Sequence, residues 1–166
     1  MRILFIADAV GVPGRRAVED RLPALRDELH VDLCILNGEN LADGVGITPK
    51  LADKMLASGV DAITLGNHVW RRGEIVPYLK ESERVIRPAN LSRRAPGRGL
   101  AFVTAADGTE VAVANLIGSL FIGPPVGSPV TAIRPVTACA RRSYAGRSAA
   151  SPAVAKPPTT ATTRPG

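Results

Sequence analysis

The strongest constraint on this chain is a repeated order of segments. Three short apolar, β-rich runs, Ile3 to Ala7, Asp32 to Leu36 and Asp61 to Leu65, each end in polar loop residues, with segments of helical periodicity between them. Such alternation predicts strand–helix–strand units, and hence a parallel sheet with right-handed crossovers. In an open parallel sheet the ligand site lies beyond the carboxyl ends of the strands. The residues at those ends are Asp8, Asn37-Gly38-Glu39-Asn40 and Gly66-Asn67-His68. The pattern therefore nominates Asp8, Glu39, Asn40, Asn67 and His68 as one site.

Between the runs, Val18, Leu22, Leu25 and Leu29 recur at helical spacing over Arg15 to Leu29, with Pro23 inside the pattern as an expected kink or break. Asp8 to Gly14 reads as a glycine- and proline-punctuated turn. The loop Asn37 to Gly46 carries three glycines and is longer than the usual strand–helix connection. Thr48-Pro49 is a helix start and Gly59 its stop. A third helix is expected over Arg72 to Glu83 and a brief fourth strand at Val85-Ile86. Gly99 to Ala105 and Glu110 to Leu116 flank Asp107-Gly108, a hairpin signal. The fold class is thus α/β: a parallel sheet followed by an antiparallel hairpin.

The net charge of +6 invites a nucleic-acid reading, but its distribution argues otherwise. Residues 1–127 hold 15 basic and 15 acidic side chains and are neutral, so the six basic residues of 128–166 carry the whole excess. That tail is rich in Ala, Pro, Thr and Arg, has one Ile and no Leu or Phe, and is expected to be disordered. With Tyr144 as its one aromatic residue it lacks stacking platforms, so nucleic acid is not expected as a partner. The domain expectation is 1–127 for a folded domain and 128–166 for the tail. No segment approaches the roughly 20 apolar residues of a bilayer span, and Asp8 cuts the opening run short of a signal peptide. A cytoplasmic protein with no membrane partner follows as the expectation. Cys34 and Cys139 are too few for a disulfide framework, and Cys34 falls in a strand as a core residue.

Taken singly, each candidate has a plainer reading. Asp8 could cap a helix, Asn40 could shape a turn, Glu39 could be a solvated charge and His68 a structural histidine. Together they offer carboxylates for hard or borderline divalent ions, amide oxygens that add no charge, and an imidazole able to hold a proton near neutrality. Two such ions can clamp a phosphoryl group and activate water while His68 protonates the leaving alkoxide.

Phe5-Ile6-Ala7-Asp8-Ala9-Val10-Gly11-Val12-Pro13-Gly14, Asn37-Gly38-Glu39-Asn40, Gly44-Val45-Gly46-Ile47-Thr48-Pro49, Thr64-Leu65-Gly66-Asn67-His68-Val69-Trp70 and Arg87-Pro88-Ala89-Asn90 resemble, in that order, the YmdB-type metallophosphoesterases. Pro96-Gly97-Arg98-Gly99 and Val113-Ala114-Asn115-Leu116 continue the likeness, which covers about residues 1–127. The resemblance implies the N-terminal part of a calcineurin-like αββα sandwich with a dinuclear centre, iron or manganese, that hydrolyses phosphodiesters such as 2′,3′-cyclic nucleotides. It further implies Asp8 and Asn40 on the first metal, Glu39 bridging, Asn67 on the second and His68 as proton donor.

Two departures matter. Ala7 stands where the family more often has glycine, and the three further histidines that complete the family's centre have no counterpart, since the only histidines are His30 and His68. His30, between a helix and a strand, is expected to cap or face solvent. By the same resemblance, much of the second sheet is expected to lie outside these residues, with apolar surface and strand edges uncovered as a result. A reading frame shifted near Gly127 would account for both the tail and the missing histidines. Two functional readings follow: a phosphodiesterase by ancestry, impaired in this form, or a non-catalytic remnant that binds a nucleotide, metal or protein. A homo-oligomer is compatible with either. The absence of a glycine-rich dinucleotide fingerprint argues against a Rossmann oxidoreductase.

Overall fold

The computed structural model describes residues 1–120, 126–134 and 138. Four strands, β1 (Ile3–Ile6), β2 (Leu33–Asn37), β3 (Ala62–Thr64) and β4 (Val85–Ile86), form a parallel sheet in that spatial order. The register pairs Ile3 with Leu33, Ile35 with Ala62 and Ile63 with Val85. Helices α1 (Gly11–Leu29), α2 (Pro49–Ala57) and α3 (Ile75–Glu81) connect the strands. An antiparallel hairpin, β5 (Leu100–Thr104) with β6 (Glu110–Ala114), follows. Parallel units first and a hairpin afterwards is the arrangement the sequence predicts.

Strand residues alternate between the two faces of a sheet, and the core divides accordingly. Cys34, Leu36, Ile63 and Val85 face the helices, where Val18, Leu22, Ala52, Met55, Ile75 and Leu79 pack on them. Leu33, Ala62 and Ile86 face the other way, onto Ala101, Val103 and Val113 of the hairpin. The hairpin leaves that face of β1, the edge strand, largely open. Ile3 and Phe5, level with Leu33 and Ile35 on that face, are left 49% and 58% exposed.

Some boundaries differ from expectation. α1 begins at Gly11, not Arg15: Gly11 takes φ +57 to turn the chain out of extended Val10, and Pro13 falls in the first turn, where no donor is missed. Pro23 does not end the helix, because buried Leu22 and Val18 dock it while Pro23 itself is exposed. Leu29, placed on the apolar face by spacing, is 47% exposed, and His30 caps the helix in the left-handed region at φ 50. α3 is shorter than Arg72 to Glu83, as its leading residues form the turn after His68. α2 has the expected ends, with Thr48 Oγ1 accepting from Leu51 N at 3.2 Å. Asp107 accepts from Thr109 N at 2.8 Å in the hairpin turn, which lowers its pKa, and Gly108 supplies φ +84.

The disorder expected for 128–166 falls mostly outside the described residues, as does Cys139. Residues 129–134, however, are helical, closed by local bonds such as Ala132 N to Ser128 O at 3.0 Å that need no core. Gly127 is held to Asn90 by two bonds, Gly127 N to Asn90 O at 2.9 Å and Asn90 Nδ2 to Gly127 O at 2.8 Å. No helix among the described residues is long and apolar enough to cross a membrane.

Candidate active site

Parallel strands bring their carboxyl ends to one edge, and the loops there are tied together by backbone bonds. Ala9 N donates to Asn37 O at 3.2 Å, Gly11 N to Asn40 O at 2.9 Å and Gly38 N to Thr64 O at 3.0 Å. The long loop after β2 is anchored by apolar side chains, as Leu41, Ala42 and Ile47 are all buried. Arginines grip its carbonyls from outside: Arg15 on Leu41 O at 3.1 Å, Arg72 on Ala42 O at 2.9 Å and on Val45 O at 3.1 Å. Tight turns within it use Asp43, Gly44 and Gly46 at positive φ.

On this frame the predicted residues meet. Asn40 Nδ2 donates to both oxygens of Asp8 at 2.9 Å, and Asn40 Oδ1 lies 2.7 Å from His68 Nδ1. An ionised carboxylate accepts only, so the amide must turn its NH2 to Asp8 and its oxygen to His68, which in turn donates through Nδ1–H. The outer nitrogen, Nε2, is thereby left for chemistry. Glu39 Oε2 stands 3.5 Å from the backbone N of His68, and Glu39 N is held by Asn37 Oδ1 at 3.1 Å. Asn67 is exposed beside His68, and its side chain has no hydrogen bond among the described residues. Asp8, Glu39, Asn40 and His68 thus form one contact chain, with Asn67 at its margin.

Neither Asp8 nor Glu39 has a Lys or Arg within ion-pair reach among the described residues. Carboxylates without a basic partner, and the exposed Asn67 amide near them, are donors of the type that hard divalent cations take. No cluster of three His, Cys, Asp or Glu able to hold a metal occurs among the described residues. The donors gathered here are thus oxygens, and among the described residues they come without the imidazoles of a two-ion centre.

Sequence reasoning passed over three contributors. Arg15 and Arg72 position the loop through carbonyls, which leaves no signature in a sequence. Asn115 Nδ2 donates to the carbonyls of Leu65 and Ile86, at 2.5 and 3.3 Å, tying the hairpin's exit to the tips of β3 and β4. Arg87, which is buried, spends its guanidinium on the carbonyls of Pro88, Ala95, Pro96 and Gly97, and burial lowers its pKa. It pins the basic loop after β4.

Strand-tip carboxylates and amides on a parallel sheet, layered between helices and an antiparallel hairpin, define the N-terminal part of a metallophosphoesterase-type α/β fold. The chain belongs to the family of YmdB-like proteins, which it matches over residues 4–145, beyond Gly127. It is 44% identical over 129 residues to a 2′,3′-cyclic-nucleotide 2′-phosphodiesterase of Bacillus subtilis, a match covering 78% of this chain and 48% of the relative. It is 29% identical to a putative phosphatase/phosphodiesterase of Mycoplasma genitalium, covering 72% of this chain and 43% of that one. Among solved structures, a hypothetical protein of Thermus thermophilus superposes with TM-score 0.74 at 38% identity, over 82% of this chain and 52% of that one. A novel phosphatase of Mycoplasma pneumoniae gives TM-score 0.74 at 25% identity, over 82% and 50%. The chain spans about half the length of the relatives it matches.

Proposed function

We propose that this chain carries the first half of a metal-dependent phosphodiesterase centre of the YmdB type, acting in the cytoplasm on 2′,3′-cyclic nucleotides or related phosphodiesters. The observation that carries the reading is the pair of carboxylates, Asp8 and Glu39, without a basic partner at the strand tips beside an oriented imidazole. Asp8, Glu39 and Asn67 would hold a divalent cation, iron or manganese, and Asn40 would join them by giving up its oxygen's contact with His68 to the ion. Bound there, the ion would supply Lewis-acid stabilisation of a phosphoryl oxygen. His68, its Nδ1 fixed on Asn40, would direct Nε2 to the leaving oxygen and give it a proton.

The sequence holds no histidine after His68. The two-ion clamp is incomplete in this chain, and phosphodiesterase activity by these 166 residues alone is impaired. The test is hydrolysis of 2′,3′-cyclic AMP and of bis-p-nitrophenyl phosphate with Mn2+. Turnover near background, unchanged in His68→Ala, is expected; robust turnover abolished by His68→Ala would overturn the impairment. A second reading, a binding module for a nucleotide or metal, is favoured by the way Asn40 closes Asp8 and His68 on each other. Binding of 2′,3′-cyclic AMP that needs no Mn2+ and leads to no turnover would support it, since the first reading places the phosphoryl group on the ion.

A further inference from the structure

Gly66 is buried at the tip of β3 and does not take a positive φ, so no left-handed turn requires a glycine there. The first obstruction to a side chain there is the end of one side chain. A β-carbon built there would overlap the Glu39 carboxylate, 2.6 Å from Oε1 and closer still to Oε2 and Cδ, and those three atoms are the nearest it would meet. We infer that Gly66 is a positioning residue: the missing β-carbon is what lets the Glu39 carboxylate lie across the β3 tip against the His68 backbone N.

The obstructing atoms are the far end of a flexible side chain, so the fold can yield where the site cannot. Gly99 is the contrasting case in the same molecule. A β-carbon there would run into the Cα, Cβ and N of Ala89, the N at 2.8 Å, and no rotamer change relieves a clash with backbone. Gly66→Ala is therefore expected to spare stability and move Glu39, and Gly99→Ala to cost stability and leave Glu39 alone.

The inference rests on the proposed cation role of Glu39, and two readouts keep the two apart. The first does not involve metal. With 15N-histidine labelling only two backbone amides are visible, those of His30 and His68. In Gly66→Ala the His68 amide should shift as it does in Glu39→Ala, and adding Gly66→Ala to Glu39→Ala should shift it no further, while urea unfolding of Gly66→Ala matches the parent. The second is Mn2+ affinity by electron paramagnetic resonance, expected to fall about tenfold or more in Gly66→Ala, as for loss of a group that orients a ligand. Glu39→Ala should make the affinity insensitive to residue 66. An unmoved His68 amide in Gly66→Ala, or additive effects of the two substitutions, would overturn the positioning role. Absence of Mn2+ binding by the parent would overturn the metal proposal, and the amide signals would still decide the role of Gly66.

Discussion

The two ends of the parallel sheet each gather polar side chains, and they use them in opposite ways. At the amino end, Asp61 accepts from Arg26 and from Cys34 N, both at 2.7 Å, Arg26 also reaches Gly59 O at 2.6 Å, and Arg84 binds the carbonyls of Val60 and Asp61 at 2.7 Å. Every charge there has a partner of opposite sign or a carbonyl. At the carboxyl end, Asp8 meets an amide, Glu39 meets backbone, and no cation balances either among the described residues. Charge saturated by its neighbours holds a fold together, whereas charge left over is available to a ligand. The carboxyl-end loop is fixed mainly by buried Leu41 and Ile47 and by arginine bonds to its carbonyls, with Asp43 in a loose 3.9 Å pair with Arg72.

That contrast can be broken from either side. The largest expected effect is at the loop anchor: Ile47→Ala, at a fully buried site, should cost about 2–5 kcal/mol in urea unfolding and loosen the candidate site with it. Asp61→Ala, which strips Arg26 and Cys34 N of their acceptor, should cost about 1–3 kcal/mol. A loss of stability equal to zero there would show the amino-end cluster to be ornamental. Alkaline pH offers a subtler probe of the same cluster. Burial, reinforced by the Asp61 charge, pushes the Cys34 thiol from 9.0 up to about 11. Because the folded state disfavours the thiolate, this contribution is full below pH 9 and is lost as pH rises towards 11. Tyr78, raised to about 12 by burial and its bond to Asp53, acts in the same direction from pH 10 upwards. Stability should thus fall across pH 9–11, less steeply in Cys34→Ala; a parent and variant with the same slope would remove Cys34 from the account. The smallest effect is expected at the other end, where Asp8→Asn should change stability by no more than about 0.5 kcal/mol, since no ion pair is lost.

Legibility followed the same division. The meeting of the strand tips is readable because strand–helix alternation brings the carboxyl ends of the runs to one edge, although each residue there taken alone has an ordinary turn or capping use. Thr48 and Asp107-Gly108 were readable because capping and turn chemistry are local. Pro23 does not divide α1, since docking of Leu22 and Val18 outweighs one lost backbone bond, a tertiary fact that no spacing records. The start of α1 was hidden for the same reason, as a glycine at positive φ does not announce whether it ends a loop or opens a helix. Arg15, Arg72 and Asn115 act on carbonyls far away in the chain, and the Gly66–Glu39 approach exists only once β2 and β3 are side by side.

One measurement bears most directly on the claim that the strand tips form a cation site: titration of Mn2+ into the parent chain, Asp8→Asn and Glu39→Gln, followed by electron paramagnetic resonance. The account predicts saturable binding of about one ion by the parent, weakened about tenfold or more in each variant. Parent binding that neither substitution disturbs, or none at all, would contradict it.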